Sequence, residues 1–236
     1  MRPKIYLFGD SITEESFSNG GWGASLANHF SRTVDILMRG YSGYNTRWAV
    51  KVLDKVFPAA DEAAPMAVTV FFGANDACLN DGYAAFQHVP LDEYKENLRN
   101  IFSFLKKKWE TAIILFITPP PIDEAGRLLH PYIENPSGLP ERTNEAAGSY
   151  AKACVDVARE CATPVIDMWT KMQEFSDWKN SCLSDGLHLA QGGNRIVFEE
   201  VVKKLKEVGV SLELLPVDLP LFSEINPQDP LKAFEN

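Results

Sequence analysis

Apolar positions along the 236-residue chain fall into two rhythms that take turns. Short β-rich runs come first in each pair: "KIYLFG" (4–9), "TVDILMRG" (33–40), "MAVTVFFG" (66–73), "AIILFIT" (112–118) and "PVIDM" (164–168). The third and fourth are almost continuously apolar, the pattern of a strand covered on both faces. Between the runs lie longer stretches of helical character, at about 22–31, 45–57, 91–109, 142–162 and 192–208. In the second, Trp48, Val52, Leu53 and Val56 are the apolar set. In the third, Tyr94, Leu98, Ile101, Phe102 and Leu105 share one stripe, as expected of a helix resting on a core. Strand and helix in strict alternation predict an α/β fold, a parallel sheet with helices on both faces. Two parts show neither rhythm: a loop over 119–141 and a Pro-containing tail from about 211 to 236. Loops that long in a compact domain usually carry function, so this one is expected to form a pocket wall or lid.

Parallel sheets of this kind bind ligands outside the carboxyl ends of their strands. The polar residues of interest sit there: "GDS" after the first strand, "RGYSGYNT" after the second, "GAND" after the third and "TPPP" after the fourth. Composition narrows what they could meet. With 23 Lys plus Arg against 32 Asp plus Glu, the net charge is −9, which disfavours a nucleic-acid partner. The one basic run, "LKKKW" (105–109), suits the end of a helix, where cations complement the dipole. Cys78, Cys154, Cys161 and Cys182 have no CxxC spacing and no His cluster beside them, so neither a zinc site nor a dense disulfide framework is expected. No signal peptide is recognised at the start of the chain, and no run approaches the roughly 18 apolar residues of a membrane span. The expectation is a cytoplasmic protein without a membrane span. Its tail, rich in Leu (Leu212, Leu214, Leu215, Leu219, Leu221), should dock on the body or reach a second subunit, which would make a homodimer.

Ser11 alone proves little, since a serine after a strand commonly caps the next helix. A partner near the other end changes its meaning. "SDGLHLAQGGN" (184–194) places Asp185 three residues before His188 in a polar turn. A serine hydroxyl needs a base to become a nucleophile, His is the side chain suited to that near neutrality, and a carboxylate beside the imidazole fixes its tautomer. His29 falls in a helical segment, and His88 and His130 in loops, where they compete poorly for the role. Acyl transfer also needs donors for an oxyanion. Asn75 can offer its side-chain NH₂, Gly43 a backbone N–H where the chain approaches a ligand, and Ser11 its own N–H. Taken singly, Asn75 would be an Asx-turn residue and Gly43 a turn glycine. Asp10 and Asp76, each beside a site residue, are read as buried carboxylates tying down loop N–H groups.

Together these residues resemble the GDSL/SGNH hydrolase family, whose marker residues fall here on Ser11, Gly43, Asn75 and His188, with the acid at Asp185. Ile12 stands where the family name has Leu. The wording "RGYSGYNTRWA", "FFGANDA" and "SDGLHL" looks like the isoamyl acetate-hydrolysing esterase subgroup. The resemblance spans about residues 4–208 and implies a flavodoxin-like three-layer α/β/α sandwich with a five-stranded parallel sheet. That would make residues 1–210 the hydrolase domain. It also implies hydrolysis of short-chain esters of small alcohols by Ser11, Asp185 and His188, with no metal or organic cofactor. Trp22, Tyr44 and Trp48, near the site loops, are read either as substrate contacts or as core packing, and His130 either as a substrate contact or as a plain loop residue. Deacetylation of sugars and lysophospholipase or thioesterase activity use the same catalytic set and stay open. A flavin-binding protein of the same architecture is disfavoured, because Asp10, Glu14 and Glu15 would repel a phosphate after the first strand. A non-catalytic binder would have no need of the full set.

Overall fold

The computed structural model describes residues 2–57, 63–131, 134–135 and 137–235. The five β-rich runs form strands β1 (Lys4–Gly9), β2 (Asp35–Gly40), β3 (Ala67–Phe71), β4 (Ile113–Ile117) and β5 (Val165–Ile166). All pair in parallel, in the order β2-β1-β3-β4-β5. The nine helices among the described residues are α1 (Ser11–Glu14), α2 (Trp22–His29), α3 (Thr46–Val56), α4 (Leu91–Lys108), α5 (Glu124–Leu129), α6 (Asn144–Glu160), α7 (Met168–Gln173), α8 (Trp178–Ser181) and α9 (Gln191–Glu207).

Alternation along β1 divides the core in two. Ile5 and Leu7 point to one face of the sheet, where they join Trp22 and Leu26 of α2 and Val197, Val201 and Leu205 of α9. Tyr6 and Phe8 point to the other face, among Leu53 of α3, Leu98 and Ile101 of α4 and Val157 of α6. With a side chain turning over at each strand residue, one buried strand seals both cores. The outcome is the three-layer α/β/α sandwich expected. Helix ends follow local chemistry: Asp92 and Glu93 open α4 and Lys106, Lys107 and Lys108 close it, each sign matching the helix dipole. Thr143 caps α6 by accepting from the Ala146 N–H at 3.1 Å.

Strand register positions the site. Gly9 of β1 lies opposite Gly40 of β2 and Phe71 of β3, and Phe71 lies opposite Ile117 of β4. The strands therefore stop level, and the segments leaving them (Asp10–Ser11, Tyr41–Tyr44 and Phe72–Asn75) emerge side by side on one edge.

The structure departs from the periodicity in its short helices. α1, α7 and α8 have too few turns to show a 3.6-residue pattern. The 119–141 segment is not wholly irregular, because Asp123 caps α5 by accepting from Gly126 N–H at 3.1 Å. Residues 132, 133 and 136 of that expected lid or wall lie outside the described residues. In the tail, the Asp218 N–H donates to the Arg32 carbonyl at 3.1 Å, and Leu215 packs against the first core. Beyond it most of the large apolar side chains are open to solvent, Phe222 being 90% exposed.

Candidate active site

Ser11 is the first residue of α1, directly beyond β1. Asp10 caps the helix, its Oδ1 accepting from Ile12 N–H at 3.0 Å and its carbonyl from the Thr13 and Glu14 N–H groups. A first-turn N–H has no acceptor within its own helix, so that of Ser11 is suited to a developing negative charge. Asp10 is itself fully enclosed. Burial pushes its carboxyl up to about 7, against the Ile12 hydrogen bond and the charge of His188.

The turn before α9 supplies the partners. Ser11 Oγ lies 3.0 Å from His188 Nε2, across 177 residues of chain. His188 Nδ1 lies 2.8 Å from Asp185 Oδ2. The other carboxylate oxygen accepts from the N–H groups of Leu187 (3.0 Å) and His188 (2.7 Å), so the acid is locked to the turn that carries the base. Burial works against the charge of Asp185, but the bonds from His188 and Leu187 outweigh it and hold the carboxyl far below its ordinary range. Burial likewise lowers the basicity of His188, and the Asp185 bond with the charges of Asp185, Glu15 and Asp10 more than restores it; the net shift is upward. Such a relay can take a proton from a hydroxyl and hold it as a stabilised imidazolium.

Gly186, at φ +84°, makes the turn possible: a Cβ there would stand 2.5 Å from the Asp123 carbonyl and 2.6 Å from Arg127 N. Its own carbonyl accepts from Asp123 N–H at 3.0 Å, docking α5 against the turn. Arg127 of α5 then donates from Nη1 to Asp185 Oδ2 at 2.9 Å and to the Asp185 carbonyl at 3.2 Å. Its Nε donates to Glu141 Oε1 at 2.8 Å, and the same oxygen accepts from Arg142 Nη1 at 2.8 Å. All three side chains are buried, and burial of Glu141 is outweighed by the two guanidinium groups, which keep its carboxyl below the ordinary range.

Arg142 continues to the other side of the site. Its Nη2 donates to Asn75 Oδ1 at 2.9 Å and Gln87 Oε1 at 3.1 Å, and its Nε to the Ala74 carbonyl at 2.9 Å. Asn75 Nδ2 donates to the Tyr44 carbonyl at 2.8 Å, and Gln87 Nε2 to that of Gly43 at 2.9 Å. Gly43 holds φ +76°, the left-handed region, within the loop leaving β2. Ser11, Gly43, Asn75 and His188 line one cavity of about 250 Å³, with Trp48, Ala84, Phe86 and Leu187 supplying apolar wall.

Comparison with known proteins agrees with this geometry. The profile of the GDSL-like Lipase/Acylhydrolase family matches residues 5–201. The chain belongs to that family. A GDSL esterase/lipase of Arabidopsis thaliana is 63% identical over 238 residues, covering 100% of this chain and 99% of the relative. The human isoamyl acetate-hydrolyzing esterase 1 homolog is 43% identical over 226 residues, covering 94% and 88%. Among solved structures, the lipase/acylhydrolase of Enterococcus faecalis superposes with a TM-score of 0.69 at 25% identity, over 93% of this chain and 100% of that one. This GDSL protein is a carboxylic ester hydrolase.

Ser11, Asp185, His188, Gly43 and Asn75, separated in the sequence, meet at one edge of the GDSL sheet. Of the four candidate substrate contacts, only Trp48 lines the cavity, its ring 6.4 Å from that of Phe86. Trp22 is fully buried in the first core, with its Nε1 donating to the Ile12 carbonyl at 3.1 Å; its bulk supports α1 from beneath. Tyr44 turns its ring between Tyr41 and Trp48 and gives the site only its carbonyl. His130 stands exposed at the end of α5, away from the cavity wall. Asp76 is buried, accepting from Thr46 N–H at 3.0 Å, the loop-tying geometry expected of it; burial pushes its carboxyl to about 7 against those bonds. Sequence reading missed Arg127, Glu141, Arg142 and Gln87. A signal existed for two of them, Arg127 and Glu141: charges in a long loop leaving the ligand edge of a sheet are placed to be buried in pairs.

Proposed function

We propose that this chain is a serine esterase that hydrolyses short-chain, acetate-type esters of small alcohols through an acyl-enzyme. The observation that carries this reading is the Ser11–His188–Asp185 relay, at 3.0 and 2.8 Å, opening into a small cavity with a largely apolar wall. Ser11 Oγ attacks the ester carbonyl while His188 Nε2 takes its proton, and Asp185 holds the imidazole and stabilises its charge. The N–H groups of Ser11 and Gly43 and the Nδ2 of Asn75 bind the tetrahedral oxyanion. His188 then protonates the departing alcohol, and a water molecule, activated by the same base, releases the acid. Support for a small alcohol comes from Trp48, Phe86 and Leu187, which supply apolar contact area beside the charged lining residues Glu15, Arg127, Glu141 and Arg142, and from the human relative's name as an isoamyl acetate-hydrolyzing esterase homolog.

Turnover of p-nitrophenyl acetate should fall at least about 10³-fold in Ser11→Ala, the loss expected when the nucleophile of such a unit is removed. Near wild-type turnover would refute the nucleophile assignment. In a series of esters of increasing acyl length, run beside acetylated xylose, the rate should peak on acetate or butyrate of simple alcohols. A peak on acetylated xylose or on long acyl chains would replace the substrate class and leave the mechanism standing.

A further inference from the structure

The oxyanion donors of this site depend on groups whose orientation is not self-evident. Asn75 carries a donor and an acceptor at the two ends of one amide, and a half-turn of that amide would aim its oxygen at the oxyanion. Gln87 has the same ambiguity, and the Gly43 loop can offer its N–H only while its neighbouring peptide planes stay put. Something in the fold must settle all of these.

Arg142 is the group able to do so, because a guanidinium donates and never accepts. Its Nη2 faces both Asn75 Oδ1 (2.9 Å) and Gln87 Oε1 (3.1 Å), so each amide is obliged to present oxygen to it. With the oxygens fixed, the nitrogens follow. Asn75 Nδ2 reaches the Tyr44 carbonyl at 2.8 Å, and one bond leaves its second N–H available to the cavity that Asn75 lines. Gln87 Nε2 reaches the Gly43 carbonyl at 2.9 Å and Asn75 Oδ1 at 3.3 Å. The Gly43–Tyr44 and Tyr44–Asn45 peptides, the two that follow the Gly43 N–H, are thus both held by their carbonyls. Arg142 in turn cannot swing away, since Ala74 takes its Nε and Glu141 its Nη1, and Glu141 is clamped from behind by Arg127. The side chain of Arg142 is 5% exposed and that of Glu141 1%, so water does not compete for these bonds.

We infer that Arg142, braced by Glu141 and Arg127, is a positioning residue that sets the amide order of Asn75 and Gln87 and so aims the Asn75 and Gly43 donors at the oxyanion. This rests on the acyl-transfer reading above and deepens it. Arg142 borders the same cavity, but its Nε and Nη2 donors are taken by Ala74, Asn75 and Gln87 and its Nη1 by Glu141, so it acts through the amides it holds. Because the oxyanion exists only during the reaction, loss of its alignment lowers kcat and leaves KM nearly alone.

The test is a double-mutant cycle on p-nitrophenyl acetate with Arg142→Met, Asn75→Ala and the pair, each checked by thermal melting. Removing one oxyanion donor costs about 10²–10³-fold in kcat, and Arg142→Met should approach the lower end of that range with KM changed less than about threefold. In the Asn75→Ala background the same substitution should cost several-fold less, because its main object is already gone. Equal fold losses in both backgrounds, or a loss seen in KM alone, would overturn the inference. If Arg142→Met does not fold, Gln87→Leu replaces it, since Gln87 is only half-buried and carries the order on to Gly43. That variant should also lose kcat and be less than multiplicative with Asn75→Ala; full multiplicativity would again count against the scheme. Ser11→Ala separates the levels: an active Ser11→Ala removes the acyl-transfer reading itself, whereas an inactive one beside an additive cycle removes only the role of Arg142.

Discussion

His188 shows how neighbouring charges divide the control of one side chain. Asp185, Glu15 and Asp10 raise its basicity against the cost of burial, so the base is protonated, and hydrolysis falls, as pH drops through that raised pKa. Arg127 stands behind this balance. It donates to Asp185 Oδ2, the same oxygen that faces His188 Nδ1, and so shares its negative charge. In Arg127→Met the carboxylate would act on the imidazole alone, and the acid limb of kcat/KM should move to higher pH. A pH–rate profile measures this directly, and an unmoved limb would show that Arg127 serves only to brace Glu141. The variant should also be less stable by about 3–5 kcal/mol, because Glu141 loses one of its two buried partners.

At the scale of elements, the four-residue helix α1 is notable for a cap that resists ionisation. Asp10 needs one oxygen for the Ile12 N–H; its Oδ2 has no hydrogen-bond partner among the described residues. Its carboxyl, at about 7 when folded and near the ordinary 3.8 when unfolded, retains its proton longer in the native state. The native state then binds more protons between those values, so this group's contribution to stability is greatest below about pH 4 and is lost as pH rises towards 7. Asn can cap α1 in the same way without ionising. Asp10→Asn should therefore melt progressively higher relative to wild type between pH 5 and pH 8, by roughly 2–4 °C for each kcal/mol gained. A constant difference across that range would mean that Asp10 ionises normally. Asp76 shares the upward shift, but both of its oxygens face the Thr46 N–H and one also accepts from the Thr46 hydroxyl, so Asn there would turn an NH₂ towards a donor.

For the whole molecule, the tail divides at about residue 220. We propose that 211–220 is a docked extension of the body: Asp218 meets both Arg2 (2.7 Å) and Arg32 (3.4 Å), and Leu215 covers the α2/α9 core. The ion pairs are partly exposed and worth little singly, so the apolar contact carries most of the effect. Truncation after Val210 should lower the melting temperature by several degrees, about 1–2 kcal/mol, whereas truncation after Pro220 should leave it nearly unchanged. A shortened chain ending at 210 that stays soluble, monodisperse and equally stable would refute docking. Leu219, Phe222 and Leu231, at 62%, 90% and 73% exposed, take no part in it.

How much of this was legible beforehand depends on the range over which each feature is decided. Strands, long helices and their order follow from apolar period, a property of neighbours, and each of the five strands lies within its expected run. Ser11, Gly43, Asn75, Asp185 and His188 were visible because residue types with one chemistry followed strand ends or opened a turn. Other features depended on contacts between distant parts of the chain. Trp22 carries the same indole as Trp48, yet only packing decides that one fills a core and the other a cavity wall. α5 is short and owes its place to Gly186, which lies 57 residues beyond its last residue. The Arg127–Glu141–Arg142 ladder has no periodic signature, because buried charges are tolerated only where partners from separate segments converge. Sequence alone determined the layers and pointed to the residues proposed to react. The tertiary structure decided how the Asn75 amide and the Gly43 loop are held at the cavity, since an amide's direction is set by the donors and acceptors around it and not by its place in the chain.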